Sequence, residues 1–272
     1  MKPFAGSLAA VSALEVSALE LIGLPGIPRV APGDDLAALI LAGLREARIE
    51  LCRGDILVVA QKVVSKAENR YRRLADVVPS ARALKIAAVV DKDPRAVEVI
   101  LEESRAVLRQ VPGVLIVEHR LGFVMANAGV DASNIEQQGL EGERLLLLPE
   151  DPDGSAARLA EALGQRTGVT PGLVINDSVG RAWRNGTVGM ALGSAGFPAL
   201  LDRRGERDLF GRVLEVTEVA LADQLAAAAA LVQGEADEGR PVVLVRGLRW
   251  PDAAPPTPAG VLVRPRERDL FR

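Results

Sequence analysis

The stretch VINDSVGRAWRNG, residues 174–186, begins as a buried strand and then presents an acid, a hydroxyl, two arginines and a tryptophan between glycines. What flanks it sets the fold class. Before it, DPDGSAARLAEALGQRTG (151–168) has an aspartate placed as a cap and closes at Gly168, so it reads as a helix. Gly172 and Leu173 then lead into the strand. After it, TVGMALGSAG (187–196) is a glycine-spaced run of small residues. A clean alternation of strands and helices is missing, which argues against a simple doubly wound sheet.

Farther out, DDLAALILAGLREARI has Leu36, Ile40, Leu41 and Leu44 at helical spacing, with Asp34 or Asp35 as the cap. GDILVVAQKVVSKAE (54–68) reads as an inner strand ending near Lys62 to Lys66. Pro79 to Gln110 reads as two helices broken near 91–94, with Pro94 in a first helical turn. VLIVEHRLGFVMANA is a strand turned around Arg120 to Gly122. ALADQLAAAAALVQG is a helix stopped by Gly234, and PVVLVRG (241–247) is a final core strand. The expected architecture is α+β, with mixed and antiparallel sheets, flanking helices and two interwoven lobes. Residues 1–23 read as an N-terminal arm, 24–247 as the main domain and 248–272 as an extended, proline-rich tail. The tandem VSALE at 11–20 is too short for a solenoid.

With 272 residues and 49% apolar composition the chain can build a sizeable core. Its 33 basic and 36 acidic residues form no long single-sign run, so nucleic acid is not an expected partner. Cys52 and His119 are the only residues of their types, which excludes a disulfide framework and a Cys/His zinc site. Glu15 and Glu20 interrupt the N-terminal apolar stretch, and the uncharged run from Asn185 to Leu201 is glycine-rich and short for a membrane span. The expectation is a cytoplasmic protein with no membrane partner.

Four polar stretches stand where strands or helices end. In NAGVDASN (127–134), Gly129 permits an unusual turn, and Asp131 and Asn134 offer hard oxygens for magnesium or manganese, or else Asp131 or Ser133 merely caps a following helix. Asp177 and Ser178 either complete a divalent-metal site, with Arg181 and Arg184 on phosphate, or form an ion-paired surface turn. Glu235, Asp237 and Glu238 follow a helix C-terminus, where the dipole disfavours negative charge and a cation would relieve the conflict; the alternative is a solvated acidic loop. Lys62 and Lys66 are either phosphate contacts or solubilising residues at a strand edge. The chain has neither a P-loop nor a G-x-G-x-x-G after a strand, and it lacks a reactive Cys/His pair. Carboxylates, metal and basic groups remain, the equipment of phosphoryl or nucleotide chemistry.

Six blocks in order, GDILVVAQKVVSKAE, GFVMANAGVDASN, LLPEDPDGSA, DSVGRAWRNG, AGFPALLDRRGERDLFGR and ADQLAAAAALVQGEADEGRPVVLVRG, closely resemble the coenzyme F420:L-glutamate ligase family over about residues 24–247. The resemblance implies a GTP-dependent ligase that joins L-glutamate to the phospholactyl carboxylate of a deazaflavin precursor, then adds glutamate through a γ-linkage, by way of an acyl phosphate. It implies that Asp131 and Asp177 bind one Mg2+ or Mn2+ and Ser178 and Glu235 a second, with potassium a further candidate ion. Lys66 joins the two aspartates as a catalytic group. GTP would touch Leu24, Pro25, Gly26 and Ile27, then Gln61, Lys62, Lys66 and Asn134, and finally Gln233, Gly234, Glu235, Ala236, Asp237, Glu238, Gly239 and Arg240. An intertwined homodimer is implied as well. Asn69 stands where the family pattern has glycine, Met125 where it has cysteine, and Val179 and Ala182 where it has Phe and Pro. The competing readings are a nucleotide-binding module without catalysis and a related amide ligase with another acceptor.

Overall fold

A computed structural model describes residues 18–133, 143–251 and 254–270. The first seven residues of the tandem repeat, and Asn134, lie outside the described residues. In chain order the strands are β1 (Glu20–Gly23), β2 (Ile56–Ala60), β3 (Tyr71–Arg73), β4 (Ser104–Val111), β5 (Val114–His119), β6 (Val124–Ala126), β7 (Arg144–Leu146), β8 (Gly172–Arg181), β9 (Arg184–Ala195), β10 (Leu200–Asp202), β11 (Glu218–Ala220) and β12 (Val242–Arg246). The α-helices are α1 (Leu36–Glu46), α2 (Gln61–Ala67), α3 (Ala81–Val90), α4 (Pro94–Glu102), α5 (Pro152–Thr167) and α6 (Leu221–Gln233).

The opening stretch is half of the longest hairpin. β8 runs through VINDS and returns as β9, so TVGMALGSAG is a strand. Its glycines are explained by what lies above and below it. A Cβ on Gly189 would collide with the backbone of α6 at Ala226, and one on Gly193 with the backbone of α5 at Pro152. Two residues four apart on a regular strand face the same way. Here the register slips between Ile175–Gly193 and Asn176–Ala191, and this bulge turns Gly189 toward α6 and Gly193 toward α5.

The central sheet has the order β1-β12-β2-β8-β9, in which only β2 and β8 are parallel. Leu57, Val59, Leu173 and Ile175 pack with α1 and α5 on one face, while Ile56, Val58, Val174 and Val243 pack with α6 on the other. Burial on both faces explains the unbroken apolar runs of β2, β8 and β12. A second core forms where α3 and α4 cover the sheet β4-β5-β6. The short pair β3-β7 adjoins it. The fold is therefore α+β with mixed and antiparallel sheets, as the lack of a βαβ rhythm implies.

Most caps are as expected. Asp35 accepts from Ala38 N–H at α1, Asp151 from Gly154 N–H at α5, and Pro94 opens α4. Gly168 and Gly234 close α5 and α6 at positive φ. Two boundaries differ. The inner strand ends at Ala60, and Gln61, Lys62 and Lys66 ride on α2 rather than on a strand edge, because Val64 is buried at helical spacing against the core. The second helix stops at Glu102 instead of Gln110, since Pro112 and Gly113, with Gly113 at φ 81°, fold Ser104–Val111 back on β5 as a hairpin. Parts of the proline-rich segment pack on the rest of the chain. Trp250 packs on Phe197, Ala259 is buried, and Asp153 accepts the Ala259 N–H at 2.8 Å.

Candidate functional site

The C-terminal ends of β2 and β8 open into a cleft of about 1150 Å3. β2 delivers α2, whose first turn brings Gln61 and Lys62 to the rim, with Lys66 one turn on. β8 delivers Asn176, Asp177 and Ser178. The third side comes from the loop after α6. Asn176, which is 3% exposed, exchanges two amide hydrogen bonds with Gln233, at 2.7 and 3.1 Å, and Gln233 also donates to the Pro241 carbonyl. This amide pair fixes the loop 233–240 against the strand. Asn176 is almost fully buried, so losing Gln233 would leave its amide short of partners.

Asp131 is brought in by an unusual turn. Asn127, Ala128 and Gly129 have φ of 54°, 54° and 66°, three left-handed residues in a row. For the first two, which are not glycine, this conformation costs about 1–3 kcal/mol each. A Cβ on Gly129 would meet the Leu148 side chain. The strained turn hands the chain to Asp131, whose backbone pairs with Leu146 of β7 at 3.0 and 2.9 Å.

The electrostatics of the two aspartates are opposite. Burial pushes the Asp131 carboxyl up, but the Lys62 ammonium at 2.7 Å and the Ser133 N–H and hydroxyl outweigh it, and its pKa is lowered. Asp177 has no such partner and is pushed up to about 6. Burial is the largest cause, and the neighbouring charges of Asp131 and Glu235 add to it against the Ser178 N–H and Lys62. Glu238 settles part of the helix-end conflict without a cation, because its carboxylate turns back to accept the Ala236 N–H at 2.9 Å. Backbone N–H groups of the loop lower its pKa. Among the described residues, no three His, Cys, Asp or Glu side chains stand as a ready-made metal cluster.

The cleft gathers Ile27, Gln61, Lys62, Lys66, Asp131, Asp177, Ser178 and the whole run Gln233–Arg240. Leu24, Pro25 and Gly26 lie behind it. Leu24 is fully buried and donates its N–H to Val242, and Gly26 needs its φ of 68°. Arg181 and Arg184 do not reach the cleft. They flank the exposed tip of the β8–β9 hairpin, four and seven residues beyond Asp177, and Arg181 donates to the Gly186 carbonyl. Asp202 and Arg203 are engaged elsewhere, with Arg204 and Glu206. Sequence reasoning missed Asn176, although it stands beside Asp177 in the quoted stretch. It also missed Tyr71 and Arg144, which line the cleft from β3 and β7. No motif marks them. Asn69 takes φ 55°, a left-handed conformation that asparagine tolerates best among non-glycine residues. Met125 and Val179 share one buried cluster, so a long side chain at one accompanies a short one at the other.

These features define an α+β protein with a polar cleft, lined by acids and lysines, at the strand ends of a mixed sheet. Comparison with known proteins gives the particular family. A family model described as F420-0:Gamma-glutamyl ligase matches residues 26–247. The coenzyme F420:L-glutamate ligase of Methanothermobacter thermautotrophicus is 47% identical over 254 residues, 93% of this chain and 99% of the relative. The enzyme of the same name from Methanopyrus kandleri is 47% identical over 90% of this chain and 94% of its own length. That from Haloarcula marismortui is 40% identical over 93% and 96%. The chain belongs to the F420-0:gamma-glutamyl ligase family. No helix among the described residues is long and apolar enough to cross a membrane.

Proposed function

We propose that the protein is a GTP-dependent ligase that joins L-glutamate to the phospholactyl carboxylate of a deazaflavin precursor and then extends it through a γ-linkage. The observation that carries this is the convergence of Asp177, Asp131 and Glu235 with Lys62 in one large cleft, in a chain of this family. In the reaction, a carboxylate oxygen of the acceptor attacks the γ-phosphorus of GTP and GDP leaves. The glutamate nitrogen then attacks the acyl carbon, losing a proton, and phosphate departs with the oxygen that carried it. Both steps need charge neutralisation more than a protein nucleophile. Lys66 and Lys62 supply positive charge beside the phosphates.

GTP is assigned to the face made by Ile27, Gln61, Lys62, Lys66 and Gln233–Arg240, with the turn Leu24–Gly26 behind it and Asn134 as a further candidate contact. The donor set fits a divalent cation of the Mg2+ or Mn2+ type. Its atoms are hard oxygens, and Asp177 is a half-buried acid crowded by two like charges, a tension that a cation would remove. Asp131 and Asp177 would hold one ion, and Ser178 and Glu235 a second, with potassium as a further candidate. When bound, such ions neutralise charge developing on the transferred phosphoryl group. A cytoplasmic homodimer completes the proposal. Projecting apolar side chains support it: Leu209 and Phe210, between β10 and β11, are 99% and 96% exposed.

The test is to incubate the purified protein with GTP, Mg2+ or Mn2+, L-glutamate and the deazaflavin precursor, measuring product mass and GDP. Mass gains of whole glutamyl units with matching GDP are expected. GDP release without a mass gain, or neither, overturns the reading.

A further inference from the structure

One wall of the cleft plays no part in the phosphate chemistry above. Tyr71 in β3 and Arg144 in β7 lie diagonally across an antiparallel pair in which Arg73 is opposite Arg144. The Arg144 guanidinium carbon sits 4.4 Å from the Tyr71 ring centroid, and both residues line the cavity. Met125, Val130 and Val179 add apolar surface to the same cavity. A flat cation on a flat ring beside apolar side chains is a surface for stacking planar aromatic groups, and its charge favours an anion nearby.

The position of this shelf relative to the acids argues for its occupant. Gln233, and with it the loop 233–240, is bonded to Asn176, next to Asp177 on β8. Asp131 is bonded instead to Leu146, two residues from Arg144 on β7, and Leu146 pairs with Tyr71. Asp131 is thus tied to the wall that carries the shelf, and Asp177 to the wall that holds the loop assigned to the nucleotide. In phosphoryl transfer the attacking and leaving oxygens lie roughly in line on opposite sides of the phosphorus. An acceptor must then approach from the side away from the nucleotide, and the wall tied to Asp131 rather than to the loop is the one that carries the shelf.

We infer that Tyr71 and Arg144 bind the acceptor, taking its planar aromatic ring against the shelf with Arg144 near its phosphodiester. This rests on the ligase reading above for the placement of the nucleotide. The pair binds and orients the acceptor and does not touch the reacting carboxylate.

Equilibrium dialysis tests it, with the deazaflavin precursor alone and with GTP alone, on wild type, Tyr71→Leu and Arg144→Gln, each checked for its circular dichroism spectrum. Each variant is expected to bind the precursor about tenfold more weakly, within the range of one cation–π or stacking contact. GTP binding should stay within about twofold. Steady-state kinetics should show a raised KM for the precursor and an unchanged KM for GTP. Weakened GTP binding with normal precursor binding would place the base on the shelf and overturn the inference, and so would normal binding of both. If Tyr71→Leu does not fold, Arg144→Gln decides alone. A wild type that binds the precursor on the shelf but never ligates it would sink the ligase reading and leave the shelf. Ligation with an unchanged precursor KM in folded variants would do the reverse.

Discussion

Gly189→Ala tests the packing that holds the site's third wall. Glycine is needed at 189 because α6 rests directly on β9. The added carbon would lie 2.6 Å from the Ala226 carbonyl carbon and 3.0 Å from the Ala227 nitrogen, with the Ala226 oxygen nearer still. Carbon atoms at the van der Waals optimum are about 3.5–4.0 Å apart, so α6 must retreat by about 1 Å. The obstacle is helix backbone, which cannot swing aside as a side chain can. Overpacking of this kind costs about 1–3 kcal/mol, a loss of roughly 2–12 °C in thermal midpoint for a chain of this size. The consequence reaches the site because α6 ends at Gln233, whose amide bonds to Asn176 are 2.7 and 3.1 Å long and tolerate little displacement. Scanning calorimetry should show the lower midpoint, and dialysis a weaker GTP affinity. Gly180→Ala on the same hairpin is the control, since a Cβ there meets nothing within 4 Å. Equal midpoints for the two variants would refute the reasoning.

Glu103 faces Arg120 Nε at 2.9 Å, Arg70 at 3.4 Å and His119 Nε2 at 3.4 Å, and these partners outweigh its burial to hold its pKa down to about 2. The unfolded state therefore takes up its proton first, and stability is lost as pH falls from about 5 toward 2, by up to about 3 kcal/mol, a dependence that urea titrations of Glu103→Gln should lack. Asp177 has the opposite sign. Its native pKa of about 6 lies above the unfolded value, so stability falls as pH rises between about 4 and 6. Asp177→Asn should abolish turnover yet raise the stability of the metal-free protein at pH 8 by up to about 3 kcal/mol, and Mn2+ should raise the midpoint of wild type far more than that of the variant. A variant destabilised at pH 8 would contradict the charge crowding. Leu209→Asp with Phe210→Asp should convert a dimer to monomer in light scattering while leaving the circular dichroism spectrum intact; an unchanged mass would remove these residues from the interface.

Core strands and capped helices were legible because their signals are local. Val-rich runs buried on both faces, the aspartates before α1, α4 and α5 and the glycines after α5 and α6 do not depend on distant partners. Tertiary contacts decided the rest. TVGMALGSAG shows no apolar alternation because at Gly189 and Gly193 its faces meet helix backbone, so a strand read only as a glycine-spaced run of small residues. The hairpin at Pro112–Gly113 took eight residues from an apparent helix. In the site, the carboxylates and lysines could be picked out by type, and the structure gathers them in one cleft. Arg181 and Arg184 were misleading neighbours, since adjacency along a strand places them at the hairpin tip. Asn176, Tyr71 and Arg144 carry no motif, and only the pairing of β3 with β7 and of β8 with the end of α6 brings them to the cleft.

The proposed reaction turns on a carboxylate activated by phosphate in this cleft. The direct measurement uses acceptor labelled with oxygen-18 in its carboxylate, ligated to L-glutamate with GTP, with the released inorganic phosphate analysed by mass. One labelled oxygen in the phosphate for each amide bond formed is the predicted result. Ligation that releases only unlabelled phosphate would contradict it.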